Sequence, residues 1–361
     1  MRRTTSKTMT TRAWAAVGMV LLASACLPAL ALGGRSSVAS VSETVTASAG
    51  ALRPIGAAKR SIAFSVEGTW SVPASQTVRA ALEYSFLEEG AWRVPVIGSL
   101  DTSATADGSG VSAARLTLRL AGTWRIRQVL TWDSGSCVSQ WATVRVAAHR
   151  PKGRVKVVMY GDSLAGMPGI ALRRMLKGTA ASVLLDYKSS SGISRPDFFD
   201  WAARMAAQRR RIHPDIVVIY MGANDWQNMR SGGHIYTRGS RAWDALYARR
   251  AARLMDIARS EGATVYVIGQ TITGRTRGYA RHMAHLNAIV KPVARRRANV
   301  RFVTTWSLFA TPGGAYSSRL RTSSGALVNM RSRDCIHFSG AGASRMAGRI
   351  RHRVESDWGH F

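Results

Sequence analysis

Apolar and polar positions alternate in two different rhythms along this chain. Between residues 60 and 150 the period is two. Leu116, Leu118 and Leu120 alternate with Thr117 and Arg119, Trp124 and Ile126 with Arg125 and Arg127, and Val144 and Val146 with Thr143 and Arg145. Such alternation puts the apolar side chains on one face of a strand. Turn clusters, among them Asp107-Gly108-Ser109-Gly110 and Asp133-Ser134-Gly135, separate the runs. Short half-buried strands at this spacing predict a small all-β sandwich, immunoglobulin-like in size, over 60–150. Nothing in that region carries obvious chemistry, so a spacer or binding module is the expectation.

From residue 151 the rhythm changes. Continuous apolar runs predict strands at 155–160, 182–187, 215–221, 263–269 and 299–303. Between and after them, helical spacing predicts helices over 165–177, 197–211 (with Pro196 opening the first turn), 241–259, 278–296 and 339–353. Strands apolar on both faces, separated by helices, form a parallel sheet covered on each side. The expectation for 151–361 is therefore an α/β domain.

The first 59 residues follow neither rhythm. Arg2, Arg3, Lys7 and Arg12 precede an apolar run from Ala13 to Leu32, and Ala29-Leu30-Ala31 is an A-x-A cleavage pattern. This predicts a signal peptide over 1–31, hence an exported protein, secreted or associated with the cell envelope. An uncleaved anchor and a lipoprotein cut before Cys26 are the alternatives. Residues 32–59, rich in Ser, Ala, Gly and Thr, are expected to be a flexible linker. Cleavage leaves only Cys137 and Cys335. They fall in different predicted domains, so two separate buried thiols are expected, a disulfide being the alternative. No CxxC, HExxH or clustered His/Cys spacing suggests a metal, and no cofactor is expected.

Charge sharpens the division. The chain carries 51 Lys and Arg against 20 Asp and Glu, and only seven of the 51 are Lys. Residues 60–150 hold nine basic and seven acidic groups, a net +2, whereas 151–361 hold 35 and 12, a net +23. A basic exported domain suits an anionic envelope polymer or membrane surface. Arg-rich solvated faces with no specific partner are the plainer reading. Helix-turn-helix, zinc-finger and RNA-platform signatures are missing, so no nucleic-acid partner is expected, and no specific protein partner either.

Ligands of a parallel sheet sit beyond the carboxyl ends of its strands. Gly161-Asp162-Ser163-Leu164 follows the first strand, and an SSSG run ending at Gly192 follows the second. Gly222-Ala223-Asn224-Asp225 follows the third, and Asp334-Cys335-Ile336-His337 lies beyond the fifth. Ser163 at a strand-to-helix turn is a candidate nucleophile, His337 its base, and Asp334 the group that orients the imidazole. Gly192 N–H and the Asn224 amide are candidate donors to an oxyanion. Each has a plainer alternative: Ser163 as a helix cap, Asn224 and Gly192 as turn residues. Asp162 and Asp225 are read as structural, His213 as a bystander, and His282 and His285 as groups at the surface or behind the site. Trp226 and Tyr236 could stack on sugar rings, though aromatics more often pack in cores.

The four blocks, in this order and at strand ends, resemble the SGNH (GDSL) hydrolase superfamily, and specifically an exported bacterial branch of it. The resemblance covers about residues 150–355. It implies a flavodoxin-like α/β/α sandwich, a Ser163–His337–Asp334 triad, and an oxyanion hole of Gly192, Asn224 and the Ser163 N–H. It implies an esterase acting on acyl, chiefly O-acetyl, esters, with acylated carbohydrate or peptidoglycan as the preferred substrate. Two alternatives stay open: an O-acetyltransferase using the same triad, and a non-catalytic binder of anionic polymer. Cys335 departs from the small residue, often glycine, usual between the Asp and the His.

Overall fold

A computed structural model describes residues 47–73, 76–104 and 108–361. The expected signal peptide and residues 32–46 of the expected linker lie outside the described residues. Two antiparallel sheets occupy the N-terminal part. One contains Ser48–Ala49, Arg53–Ile55, Phe64–Ser71, Asp101–Ala104 and Ser109–Leu116. The other is built around Arg79–Glu88 paired with Gly122–Trp132, with four shorter strands on their flanks. Phe64 and Val66 of the first sheet and Leu82, Phe86, Trp124 and Ile126 of the second share one core. The expected linker ends earlier than residue 59. Arg53–Ile55 pairs with Phe64–Ser71, and Leu52 is completely buried. Strands of two and three residues, Ser48–Ala49 and Arg53–Ile55, are too short to leave a period to detect.

The C-terminal part alternates as expected. Its elements are β1 (Val155–Gly161), α1 (Ser163–Met175), β2 (Ala181–Tyr187), α2 (Trp201–Ile212), β3 (Ile216–Tyr220), α3 (Arg241–Arg259), β4 (Thr264–Ile268), α4 (Arg277–Arg295), β5 (Val300–Val303) and α5 (Gly340–Trp358). The strands are parallel in the order 2-1-3-4-5, a doubly wound arrangement whose switch point lies between β1 and β3. Every residue of β3, β4 and β5 is buried, as two covered faces require. The edge strand β2 leaves Leu184 and Tyr187 exposed. Helix α1 packs on α5, and α3 packs between α2 and α4. At the end of β1, Gly161 runs against β3: a Cβ there would lie 2.0 Å from the Tyr220 carbonyl oxygen, so only glycine fits.

Side-chain caps set the helix starts. Asp200 accepts from Ala203 N–H at 3.0 Å, so α2 begins at Trp201, four residues later than Pro196 suggested. Ser240, Thr276 and Ser339 cap α3, α4 and α5 in the same way. Helix α5 runs five residues past the expected end, and the extension carries Asp357 and Trp358. Among the described residues no helix is long and apolar enough to cross a membrane.

The antiparallel and parallel parts belong to one compact unit. Asp357, fully buried, accepts two bonds from Arg301 (2.5 and 2.8 Å), one from Tyr266 O–H (2.8 Å) and one from Ala121 N–H (3.0 Å). Arg301 in turn donates to the Ala121 carbonyl at 2.9 Å. Alongside, Arg93 pairs with Glu88 and donates to the Arg297 and Val300 carbonyls. The Arg60 guanidinium lies 3.4 Å from the Trp358 ring centroid. Burying ions costs several kcal/mol each, so such pairs persist only when fully partnered, and removing one member costs about 3–5 kcal/mol.

Candidate active site

The cap of α1 is Asp162, not Ser163. Asp162 Oδ1 accepts from Leu164 N–H at 2.9 Å, while Oδ2 accepts from Gly222 and Ala223 N–H at 2.7 and 2.9 Å. One carboxylate thereby ties the turn after β1 to the turn after β3. Complete burial pushes this carboxyl up to about 6, against the pull of its three N–H donors. With the cap supplied by its neighbour, the Ser163 hydroxyl is left for another partner. That partner is His337, whose Nε2 lies 2.8 Å from Ser163 Oγ.

Asp334 Oδ2 stands 2.5 Å from His337 Nδ1. Its Oδ1 accepts from Ile336 and His337 N–H at 3.0 Å each. Partial burial pushes the Asp334 carboxyl up. The bonds from the imidazole and the two backbone N–H groups outweigh that and hold it at about 2. An ionised carboxylate only accepts, so the ring proton sits on Nδ1 and Nε2 offers a lone pair to the Ser163 O–H. Cys335, between them, has φ 58°, in the left-handed region where glycine is the favoured occupant. This accounts for the small residue expected at that place. Cys335 and Cys137 are both unpaired and half-buried.

Ser163, Asn224, Asp334 and His337 line one cleft of about 500 Å3. Asn224 Nδ2 donates to the Ser191 carbonyl at 2.9 Å, which leaves the amide a second N–H. Gly192 is buried and lines a neighbouring cavity with Pro196 and Phe199 instead. The structure gives this glycine a steric reason: a Cβ there would fall 2.1 Å from Asp225 Oδ1. Asp225 is fully buried and organises the whole loop. It accepts from Ile193 N–H (3.1 Å), from Ser194 N–H (2.9 Å) and O–H (2.6 Å), and from Tyr247 O–H (2.8 Å). Burial pushes its carboxyl up against these donors.

Behind the cleft, His282 Nε2 lies 3.0 Å from the Asp225 carbonyl, and the ring stands edge-on to Trp226 and Trp243. Burial pushes this imidazole down to about 4, so it packs as a neutral ring at neutral pH. His285 pairs with Asp244, and His213 is an exposed group beside Glu261, away from the cleft. Trp226 lines the cleft, with the Arg238 guanidinium 3.6 Å from its ring centroid, while Tyr236 packs at the edge of the core.

Sequence reasoning missed Arg331. It is buried, packs against the rings of Phe309 and Phe338, and donates to the Ile336 carbonyl (2.6 Å), Thr271 Oγ1 (2.6 Å) and the Ile272 carbonyl (2.7 Å). It clamps the His337 loop to the segment after β4. A lone Arg amid 51 basic residues offers no signal for this. Tyr279 of α4 donates its O–H to the Ala223 carbonyl at 2.5 Å. Among the described residues no group of three or more His, Cys, Asp or Glu could hold a metal ion.

Chemically, the arrangement can activate a hydroxyl and carry its proton, beside the amide of Asn224 and the Ser163 N–H at the start of α1. Among solved structures, a GDSL-like lipase from Bacteroides thetaiotaomicron is 16% identical. It covers 55% of this chain and 87% of its own, with a TM-score of 0.41. The catalytic domain of peptidoglycan O-acetyltransferase A from Streptococcus pneumoniae is 14% identical, covering 56% of this chain and 94% of its own, with a TM-score of 0.38. No curated protein matches the chain. Its four motif blocks and its strand order resemble those of the SGNH (GDSL) hydrolases. A family model matches residues 156–353, more than half of the sequence, and the chain belongs to that family, described as Protein of unknown function (DUF459).

Proposed function

We propose that this protein is a serine esterase that cleaves acyl, chiefly O-acetyl, esters. The observation carrying this reading is the continuous relay from Ser163 Oγ to His337 Nε2 (2.8 Å) and from His337 Nδ1 to Asp334 (2.5 Å), opening on a cleft. Ser163 Oγ attacks the ester carbonyl as His337 takes its proton. Asn224 and the Ser163 N–H stabilise the oxyanion, with the Gly192 N–H as a further donor once substrate is bound. His337 then gives the proton to the departing alcohol. Water, deprotonated by the same imidazole, releases the acid from the acyl-enzyme.

The basic N-terminus and the apolar run after it favour export. With an envelope location, acylated glycan or peptidoglycan becomes the preferred substrate. We read the two antiparallel sheets as an immunoglobulin-like sandwich and the parallel part as a three-layer α/β/α sandwich.

The test is turnover of 4-nitrophenyl acetate. Ser163→Ala is expected to lower kcat by about 10⁶ while keeping its melting temperature within about 2 °C. A fluorophosphonate probe should label Ser163 and nothing else in the chain. Turnover that survives in the variant would remove the nucleophile from this account. Acetyl transfer to an added oligosaccharide faster than hydrolysis would make the protein a transferase with the same relay. Salt-sensitive binding to wall polymer with no turnover would make it a binder.

A further inference from the structure

We infer that the cleft accepts an ester whose alcohol half carries a carboxylate, and that Arg275 binds that carboxylate. The inference rests on the esterase reading of the same cleft. Two guanidinium groups, Arg195 and Arg275, stand among the residues lining it, and Asp334 is the one carboxylate there. Asp334 is already taken by His337. Arg195 has a partner in Asp197 at 3.4 Å. Arg275 is exposed and forms no ion pair among the described residues, so its planar fork of donors is open for a bidentate carboxylate.

Unpaired arginines are common on a chain with 51 basic and 20 acidic residues, so freedom alone singles out nothing. Position does. Gly274 N–H and Thr273 O–H both donate to the Cys335 carbonyl, at 3.3 and 3.0 Å. Arg331 ties Thr271 and Ile272 to Ile336 a few residues away. The segment carrying Arg275 is therefore fastened to the loop carrying His337. The imidazole must reach the oxygen of the leaving alcohol to hand over its proton, so the alcohol half lies on the His337 side. That is the side where Arg275 waits. An acidic sugar and a simple hydroxy acid present the same group, and the chemistry shared by both is a carboxylated alcohol.

The experiment compares 4-acetoxybenzoate with the neutral isostere 4-acetoxybenzamide. In Arg275→Ala the ratio of kcat/KM for the benzoate over the benzamide should fall about tenfold, through KM rather than kcat. Arg275→Lys should recover part of it. The remote pair Arg173→Ala/Arg174→Ala, on the last turn of α1, removes more charge and should leave the ratio unchanged. A ratio indifferent to Arg275→Ala, or lowered as much by the remote pair, overturns the inference in favour of a general electrostatic field. If neither ester turns over, the esterase reading has failed, and calorimetric binding of 4-hydroxybenzoate still tests the anion site. Binding to Ser163→Ala that weakens about tenfold in Ser163→Ala/Arg275→Ala upholds it, and equal binding in the two overturns it.

Discussion

Two aspartates hold cationic or potentially cationic partners at two places in this fold, under opposite conditions. Asp334 at the rim leaves its side chain 41% exposed, and its partner, His337, can gain and lose a proton. Asp357 at the junction with the antiparallel sheets is 0% exposed, and its partner, Arg301, is permanently charged. The hydrogen-bond geometry is similar, yet one pair is suited to moving protons and the other to resisting any change. Solvent access and the choice of imidazole over guanidinium make the difference. Chemistry is therefore read from the wetter pair and architecture from the drier one.

The comparison breaks most sharply at the rim. Asp334→Asn keeps the size of the side chain but no longer enforces the Nδ1–H tautomer. Ester turnover should fall by about 10⁴, equivalent to roughly 5.5 kcal/mol of transition-state stabilisation, with the fold intact. A loss under tenfold would detach Asp334 from the relay. At the junction the effect should appear in stability instead. Asp357→Ala leaves Arg301 buried without its carboxylate, and urea unfolding should show a loss of about 3–5 kcal/mol. Activity per folded molecule should stay the same. A loss below about 1 kcal/mol would mean that water or a rearranged side chain replaces the carboxylate.

Asn224→Ala is smaller again. Losing one oxyanion donor should cost roughly 10²–10³ in kcat with little change in KM. The smallest effect is the pH dependence of the rim pair. Asp334 is held at about 2, below its ordinary value of 3.8, so its contribution to stability is complete above about pH 4 and disappears as pH falls towards 2. The difference in melting temperature between wild type and Asp334→Asn should be at most about 2–4 °C, because the pair is exposed, and should close over that interval. A difference still open at pH 2 would contradict the assignment.

Much of this was legible in the sequence, for identifiable reasons. The strands of the parallel sheet are apolar on both faces, so β1, β3 and β4 stand out as runs, and α3 matches its expected bounds of 241–259. The structure brings Ser163, Asn224, Asp334 and His337 into one cleft, as a parallel sheet that gathers its strand ends on one rim leads one to expect. What escaped notice falls into two kinds. Three-residue strands such as Arg53–Ile55 and the hairpins Met229–Ser231/His234–Tyr236 and Arg319–Arg321/Leu327–Asn329 are too short to display a period. Buried charges such as Arg301, Arg331 and Asp357 look like solvated ones until the third dimension brings their partners. Gly192 shows a further limit. The sequence offered it as an oxyanion donor or a turn residue, and only the structure adds that a Cβ there would collide with Asp225.

Asp162 has a consequence for how the rim adapts. Because its two oxygens grip both the Ser163 turn and the Gly222–Ala223 turn, Ser163 and the segment leading to Asn224 are tied into one block. Neither can drift relative to the other unless this inaccessible side chain lets go. Accommodation of differently shaped molecules is thereby delegated to the opposite bank, where Thr273 and Gly274 are hydrogen-bonded to Cys335. Reprogramming selectivity should begin on that bank and leave the Asp162 side untouched.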